Sequence, residues 1–437
     1  MRKPYMFFWY ILFMVTCSNS TNPVISGQKI EERPGTSYYV SSSTGNDQND
    51  GLSQKNPWQT FVNFDSLNLQ PGDSVLLKAG DRWIEELHLS GTGKSDTLIV
   101  LSKYGTGYKP RITRNDIEYD YCIVIEDASF WHISELDCRS AKLGLYLRYN
   151  DTYNNKDVTV TDCYFQDMYS ETIDPALHDF EYAWSAGIFL GGHVWDPAQL
   201  NEPVLTNLTI RRCAFYNTGV GFINNWYWPE VNRKRLENVI MEYCWAEKCF
   251  GGGAALNMAS GVVRYNRFKN NGGYFKWGVT AGFAQSCEDL IIEMNEFAFT
   301  QRQDCPDGTG FDFEGDNHNC IFRKNYIHEN DGAAILVMST IDDNVNLNIE
   351  DNIIFNNCLD ASSFDYRFEL LCHNGDNKGK VQDNIIMRNN ARKHFSENWA
   401  KFEKSGNELL NYEGVTPDMP FEWPDEAKQF FKAISHP

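Results

Sequence analysis

Positive charge is scarce in this chain. Its 437 residues carry 39 Lys+Arg against 59 Asp+Glu, a formal net charge of −20. That excludes a general nucleic-acid binder, which needs a basic footprint to displace counterions. It also excludes a polybasic membrane-surface protein. Beyond the first segment no apolar run is long enough to cross a bilayer. No tight Cys-x-x-Cys pair occurs among the twelve cysteines. A sustained helical period of apolar residues is missing from the repeating part of the chain. Disorder is excluded too, because 42% of the residues are hydrophobic and only 22% charged.

The one long apolar stretch sits at the start. Arg2 and Lys3 precede Tyr5 to Thr16, almost all apolar, and Cys17 follows before a polar run. Such a segment is too short for a transmembrane helix and suits the core of a signal peptide. It resembles a bacterial lipoprotein signal with Cys17 as the lipidated residue; simple secretion and an uncleaved anchor are the alternatives. The expected location is outside the cytoplasm, as an outer-membrane lipoprotein or in the periplasm, with membrane contact only through Cys17.

What the chain has in abundance is repetition. Alternating apolar residues, then Cys or Asn, then an aromatic or aliphatic residue recur in VTVTDCYF, LTIRRCAF, VIMEYCWA, LIIEMNEF and LNIEDNII. The markers are Cys138, Cys163, Cys213, Cys244, Asn266, Asn295, Asn325, Asn352 and Asn384. Most lie about 20–35 residues apart, the range of stacked repeats. The gap from Cys163 to Cys213 is wider and marks an insertion. Alternation with period two predicts strands, and Gly, Asn and Asp cluster at the bends between them. Stacking brings equivalent residues within roughly 4.8 Å. The markers then form one ladder on an inside corner, with Cys in the same small slot as Asn. This favours free thiols over disulfides for those four cysteines.

On these residues, together with the segment YYVSSSTGNDQNDGLSQKNPWQTF and its PGD turn, the sequence resembles the right-handed parallel β-helix superfamily of secreted carbohydrate-active proteins, such as pectate-lyase-like enzymes. The resemblance implies an all-β solenoid with helical caps. The expected organisation is a signal over 1–17, a linker over 18–36, and the N-terminal cap with first coils over 37–115. The β-helix would occupy 116–395, with a groove-forming insertion at 166–206, and a C-terminal cap 396–437. Pro57 to Leu67 is the expected N-terminal cap helix. Pro424 to Ile434 is the expected C-terminal one, with proline and acids suited to a helix start.

The candidate chemistry clusters in QRQDCPDGTGFDFEGDNHN. If Phe311 and Phe313 point inward, Asp312 and Glu314 share the outer face about 6.5–7 Å apart. Crowded carboxylates need a cation, a basic partner or raised pKa values. Asp304, Asp307 and Asp316 on the adjoining bends could hold calcium, which takes oxygen ligands. Arg302 and His318 lie nearby. Lys276, between two aromatics, and His193 are candidate bases. Trp184, Trp226, Tyr227 and Trp228 are candidate sugar platforms, with His318.

Three functions fit. The first expectation is β-elimination on a uronic-acid glycan, by a lyase or an oligosaccharide dehydratase. Lys276, His193 or Tyr227 would be the base, and Arg302 or calcium would clamp the sugar carboxylate. The second is glycoside hydrolysis by paired carboxylates, with Asp312 and Glu314 the natural pair and Asp304, Asp307 or Asp316 as alternates. The polygalacturonase motifs are absent. The third is a non-catalytic glycan-binding solenoid. An acidic polysaccharide or oligosaccharide is the expected partner, and a monomer the expected state.

Overall fold

The computed structural model describes residues 35–114, 120–168, 185–194, 199, 201–224, 233–273, 278–302, 307–360, 367–389 and 393–434. Almost every strand pairs in parallel with the equivalent strand of the next coil. One coil shows the logic. Leu290–Glu293 belongs to a 13-stranded sheet, here sheet A; Glu296–Ala298 to a 12-stranded sheet C; and Phe311–Phe313 to a second 12-stranded sheet, B. The chain then returns to sheet A at Ile321–Arg323, beside Leu290–Glu293. This is a parallel β-helix, wound in the right-handed sense that parallel crossovers take.

Period-two sequences form these strands because one side chain in two must enter the interior. Along sheet B the inward residues include Leu145, Ile188, Phe222, Ala254, Phe311 and Phe313, all buried in a single continuous core. Phenylalanines stack along it, as at Phe268 and Phe297, whose ring centroids are 5.1 Å apart.

Three corner ladders, not one, hold the coils in register. At the A–C corner each Asn Oδ1 accepts both the backbone N–H and the Nδ2 of the preceding Asn. Asn295 donates so to Asn325 at 3.0 and 3.1 Å, Asn325 to Asn352 at 2.9 and 3.1 Å, and Asn384 to Asn407 at 3.1 and 2.9 Å. The B–A corner repeats the device with Asn317, Asn344 and Asn377. The C–B corner uses Asn330 and Asn357. All ten described cysteines are buried free thiols.

Cys138 does not belong to the column. It lies on strand Asp137–Ala141 in register with Ile112 and Phe165. Leu136 occupies the corner, its carbonyl accepting from Tyr164 N as the Cys163 carbonyl accepts from Ala214 N. The motif ISELDCRS carries its cysteine two residues late, inside the strand rather than at the bend.

The insertion at 166–206 is likewise not one loop. It contains a regular sheet B strand, Ala186–His193, paired on both sides with its neighbours.

Both caps differ from expectation. Pro57–Leu67 forms only a short 3₁₀ turn at Val62–Phe64. Trp58, Phe61 and Phe64 still close that end, with Trp58 and Tyr38 stacked at 5.5 Å. The helix Asp425–Ile434 forms but does not cover the last coil. It packs Ala427, Phe430 and Phe431 on Tyr164, Ala214 and Trp245 of sheet C, while Glu426 pairs with Arg211 and Arg212. The tail therefore runs back along the flank, touching Tyr326 through the Pro417 carbonyl and Tyr265 through Phe421. Trp399 plugs the open end instead, 1% exposed, with its Nε1 donating to the Leu370 carbonyl at 2.9 Å.

Candidate active site

Because Phe311 and Phe313 enter the core, Asp312 is forced onto the outer face of sheet B. Strand register builds a column there: His88, Val124, Tyr146, Phe189, Ile223, Ala255, Phe283, Asp312, Leu336 and Leu371. From Val124 onward Asp312 is its one charged member, 2% exposed among apolar neighbours. Glu314 stands two residues on, about 6.5–7 Å along the strand. It heads a second outward row that is partly open to solvent, with Gln285 on the preceding coil and Met338 on the next.

Asp307 completes a trio from the side. Strand Asp307–Thr309 pairs with Val279–Thr280 at the C–B corner. Asp307 has φ +73° and Gly308 φ +76°. Left-handed residues recur at the bends throughout this solenoid, and here two in succession set the direction of the Asp307 side chain. The conformation presses the Asp307 carboxylate against the α-carbon of Gly278. The Thr309 hydroxyl donates to Asp312 Oδ1.

The electrostatics follow from burial and crowding. Burial pushes Asp307 up to about 6, with Arg302 working the other way. Burial, then the Asp307 charge, raises Glu314 to about 7. Asp312 is raised well above the usual carboxylate range by burial, then by Asp307 and Glu314, against the Thr309 hydrogen bond. At neutral pH the three cannot all be ionised. Such a set can hold a proton on one carboxyl while another stays charged, the requirement for paired acid and base work.

Arg302 approaches Asp307, but its Nη1 reaches Asp360 at 3.3 Å and its backbone N–H donates to Asp331 at 2.8 Å. Asp316 stays apart from the trio. Its Oδ1 accepts from Arg233 at 2.7 and 3.0 Å and faces His318 Nε2 at 3.4 Å. His318 bridges Glu288 and Val345, at the edge of sheet A. His193 is also elsewhere. It ends a strand four coils before Asp312, roughly 19 Å along the stack at about 4.8 Å per step, and four residues further along its strand. Lys276, Trp184, Trp226, Tyr227, Trp228, Asp304 and Cys17 lie outside the described residues. Among the described residues no group of three or more His, Cys, Asp or Glu is arranged to hold a metal ion.

Sequence reasoning did not find Thr309 or Gly278. The signal was present in DGTG, where a left-handed Asp-Gly pair precedes a strand, and in the lone Gly278 before VTAG.

No family model matches the chain. A curated relative, the lacto-N-biosidase of Bifidobacterium longum subsp. longum, is 34% identical over 138 residues, covering 26% of this chain and 9% of that protein. The match thus spans about a tenth of that relative's length. Among solved structures, a GH136 lacto-N-biosidase from Eubacterium ramulus superposes with a TM-score of 0.67 at 16% identity, over 86% of this chain and 68% of that one. A mannuronan C-5 epimerase A-module from Azotobacter vinelandii gives 0.52 at 15% identity, over 86% and 96%. At such identity these structures share the β-helix architecture with this chain.

Proposed function

We propose that the chain is a carbohydrate-active enzyme that hydrolyses a glycosidic bond. Glu314 is the proton donor, and Asp307 is the charged partner that attacks or activates water. The observation that carries this is the carboxylate trio, Asp312 and Glu314 on the outer face of sheet B and Asp307 beside them at the C–B corner, with Asp307 near 6 and Glu314 near 7. Burial and the Asp307 charge both raise Glu314, so near neutral pH the pair shares a proton, which we place on Glu314. An acid and a base are thus poised together, as glycoside cleavage through an oxocarbenium-like transition state requires. Asp312 is too enclosed to reach a sugar; it stays protonated and positions the trio through Thr309.

Elimination is supported less well. It needs a cation on the sugar carboxylate and a separate base. Among the described residues Arg302 is engaged by Asp360 and His193 is four coils away, while the other candidate bases, Lys276 and Tyr227, lie outside them. The stretch of sequence in common with a lacto-N-biosidase supports hydrolysis and directs the choice of probe. Export through the segment ending at Cys17 belongs to the same proposal.

The test offers p-nitrophenyl lacto-N-bioside, neutral oligosaccharides and uronate oligosaccharides, with and without a chelator. New reducing ends or released p-nitrophenol, without ultraviolet absorbance from an unsaturated uronate, are expected. Absorbance at a new double bond would overturn hydrolysis in favour of elimination. Loss of turnover on chelation would bring calcium into the site.

A further inference from the structure

The outward column on sheet B is sealed almost throughout. Val124, Tyr146, Phe189, Ile223 and Ala255 are each 0–1% exposed. Phe283 is the exception beside the carboxylates. It packs against that apolar cluster yet keeps part of its ring open. Register sets it directly next to Asp312, one strand spacing away, about 4.8 Å. Two residues along, Gln285 stands next to Glu314, since Ala284 pairs with Phe313. The Gln285 Nε2 donates to the Thr340 hydroxyl at 3.1 Å, and that hydroxyl in turn donates to the Glu314 carbonyl. An apolar ring beside Asp312 and an anchored amide beside the proposed acid Glu314 therefore stand on the same neighbouring coil.

We infer that Phe283 is the platform on which one sugar ring of the substrate stacks, with Gln285 fixing its hydroxyls, so that the scissile oxygen falls over Glu314. This rests on the glycoside-hydrolase reading above. A pyranose ring offers one face of C–H groups and a rim of hydroxyls. An aromatic face buries the former, and an amide, which both donates and accepts, meets the latter. One coil's rise, roughly 4.8 Å, is close to the length of one sugar unit, so a glycan lying along the stack passes from Phe283 to the carboxylates in a single residue step. Phe283 is a positioning residue. It lowers the barrier by orienting the bond to be cut, not by touching the transferred proton.

The experiment uses the full chain. Glu314→Gln, alone and with Phe283→Ala or Phe283→Trp, is tested for binding to an array of neutral hexose and N-acetylhexosamine oligosaccharides and uronate oligosaccharides. Glu314→Gln should retain a neutral glycan without turnover. Adding Phe283→Ala should weaken that binding at least about tenfold, while Phe283→Trp should restore it at an unchanged melting temperature. In the otherwise wild-type enzyme Phe283→Ala should raise KM more than it lowers kcat. Equal binding with and without the phenylalanine would overturn the platform, as would a Glu314→Gln protein that retains nothing on the array. A Glu314→Gln enzyme that still turns glycan over, while Phe283→Ala loses binding, would sink the hydrolase reading and leave the platform standing.

Discussion

A β-carbon placed on Gly278 would stand 2.0 Å from Oδ2 of Asp307. The aspartate carboxylate is thus packed on bare backbone, with Gly278 itself at φ +133°. Gly278→Ala should push Asp307 away from Glu314 and strain the chain locally. The expected result is a fall in kcat of about a hundredfold, since misplacement of roughly an ångström has that effect on an oriented site. Glycan binding by the Phe283 coil should survive. Wild-type kcat in this variant would remove Asp307 from the reaction.

The pH–rate profile should be a narrow bell. Below about 6 Asp307 gains a proton and loses its charge; above about 7 Glu314 loses the proton it must donate. The profile of kcat/KM reports these groups in the free enzyme. Asp307→Asn and Glu314→Gln should each reduce turnover about 10²–10⁴-fold or more. Asp312→Asn should be milder, because a protonated carboxyl and an amide differ little in charge. An Asp312→Asn enzyme as dead as the other two would give the buried aspartate a direct catalytic part.

The solenoid was legible because stacking imposes equivalence. Asn at every A–C corner, from Asn266 to Asn384, must meet the same backbone geometry, so the sequence repeats it. Misplaced Cys138 shows the limit. Its neighbours look like a corner motif, and only pairing with Phe165 reveals the offset of two. The outward turn of Asp312 and Glu314 could be read from alternation with Phe311 and Phe313. Asp307 could not be assigned by alternation, because its place depends on two left-handed residues and on a glycine one coil earlier. The C-terminal helix was legible as a helix, since its first-turn acids and apolar face are local. Its docking on Tyr164 and Trp245, far back along the stack, is a long-range fact that no local pattern carries.

Glu369 makes a stability prediction of its own. It is wholly buried and ends the C–B ladder, its Oε2 accepting from Asn357 Nδ2 at 2.9 Å. Burial pushes it up to about 7, against the hydrogen bonds from Asn357. A carboxyl whose folded pKa is raised stabilises the fold fully below its unfolded value and less as pH rises through the folded one. Stability should therefore decline between about pH 4.5 and 7, by on the order of 3 kcal/mol from this group. Glu369→Gln keeps an acceptor for Asn357 without the charge. It should match the wild type at about pH 4 and exceed it at about pH 8 in urea-unfolding midpoint. Parallel curves for the two proteins across that range would refute the assignment.

The ladders themselves can be weighed at Asn325. Its Oδ1 accepts two bonds from Asn295, and its own Nδ2 donates to the Ile292 carbonyl at 2.9 Å. Leucine at this position takes the partner from one buried donor, the Asn295 backbone N–H, and one acceptor, the Ile292 carbonyl, while Asn295 Nδ2 keeps the Val263 and Glu293 carbonyls. Each unsatisfied group costs about 1–3 kcal/mol, so Asn325→Leu should lose several kcal/mol. Cysteine is the informative intermediate. In an earlier coil Cys244 holds the same corner, with its Sγ 3.7 and 3.4 Å from the Ile210 and Glu242 carbonyls. That thiol reproduces the donor half of an asparagine and only weakly the acceptor half. Asn325→Cys should therefore fall between wild type and leucine in denaturant midpoint. The order wild type, cysteine, leucine is the prediction. A leucine variant as stable as the cysteine one would mean that the slot is valued for its volume, and that the hydrogen bonds running up the corner contribute little.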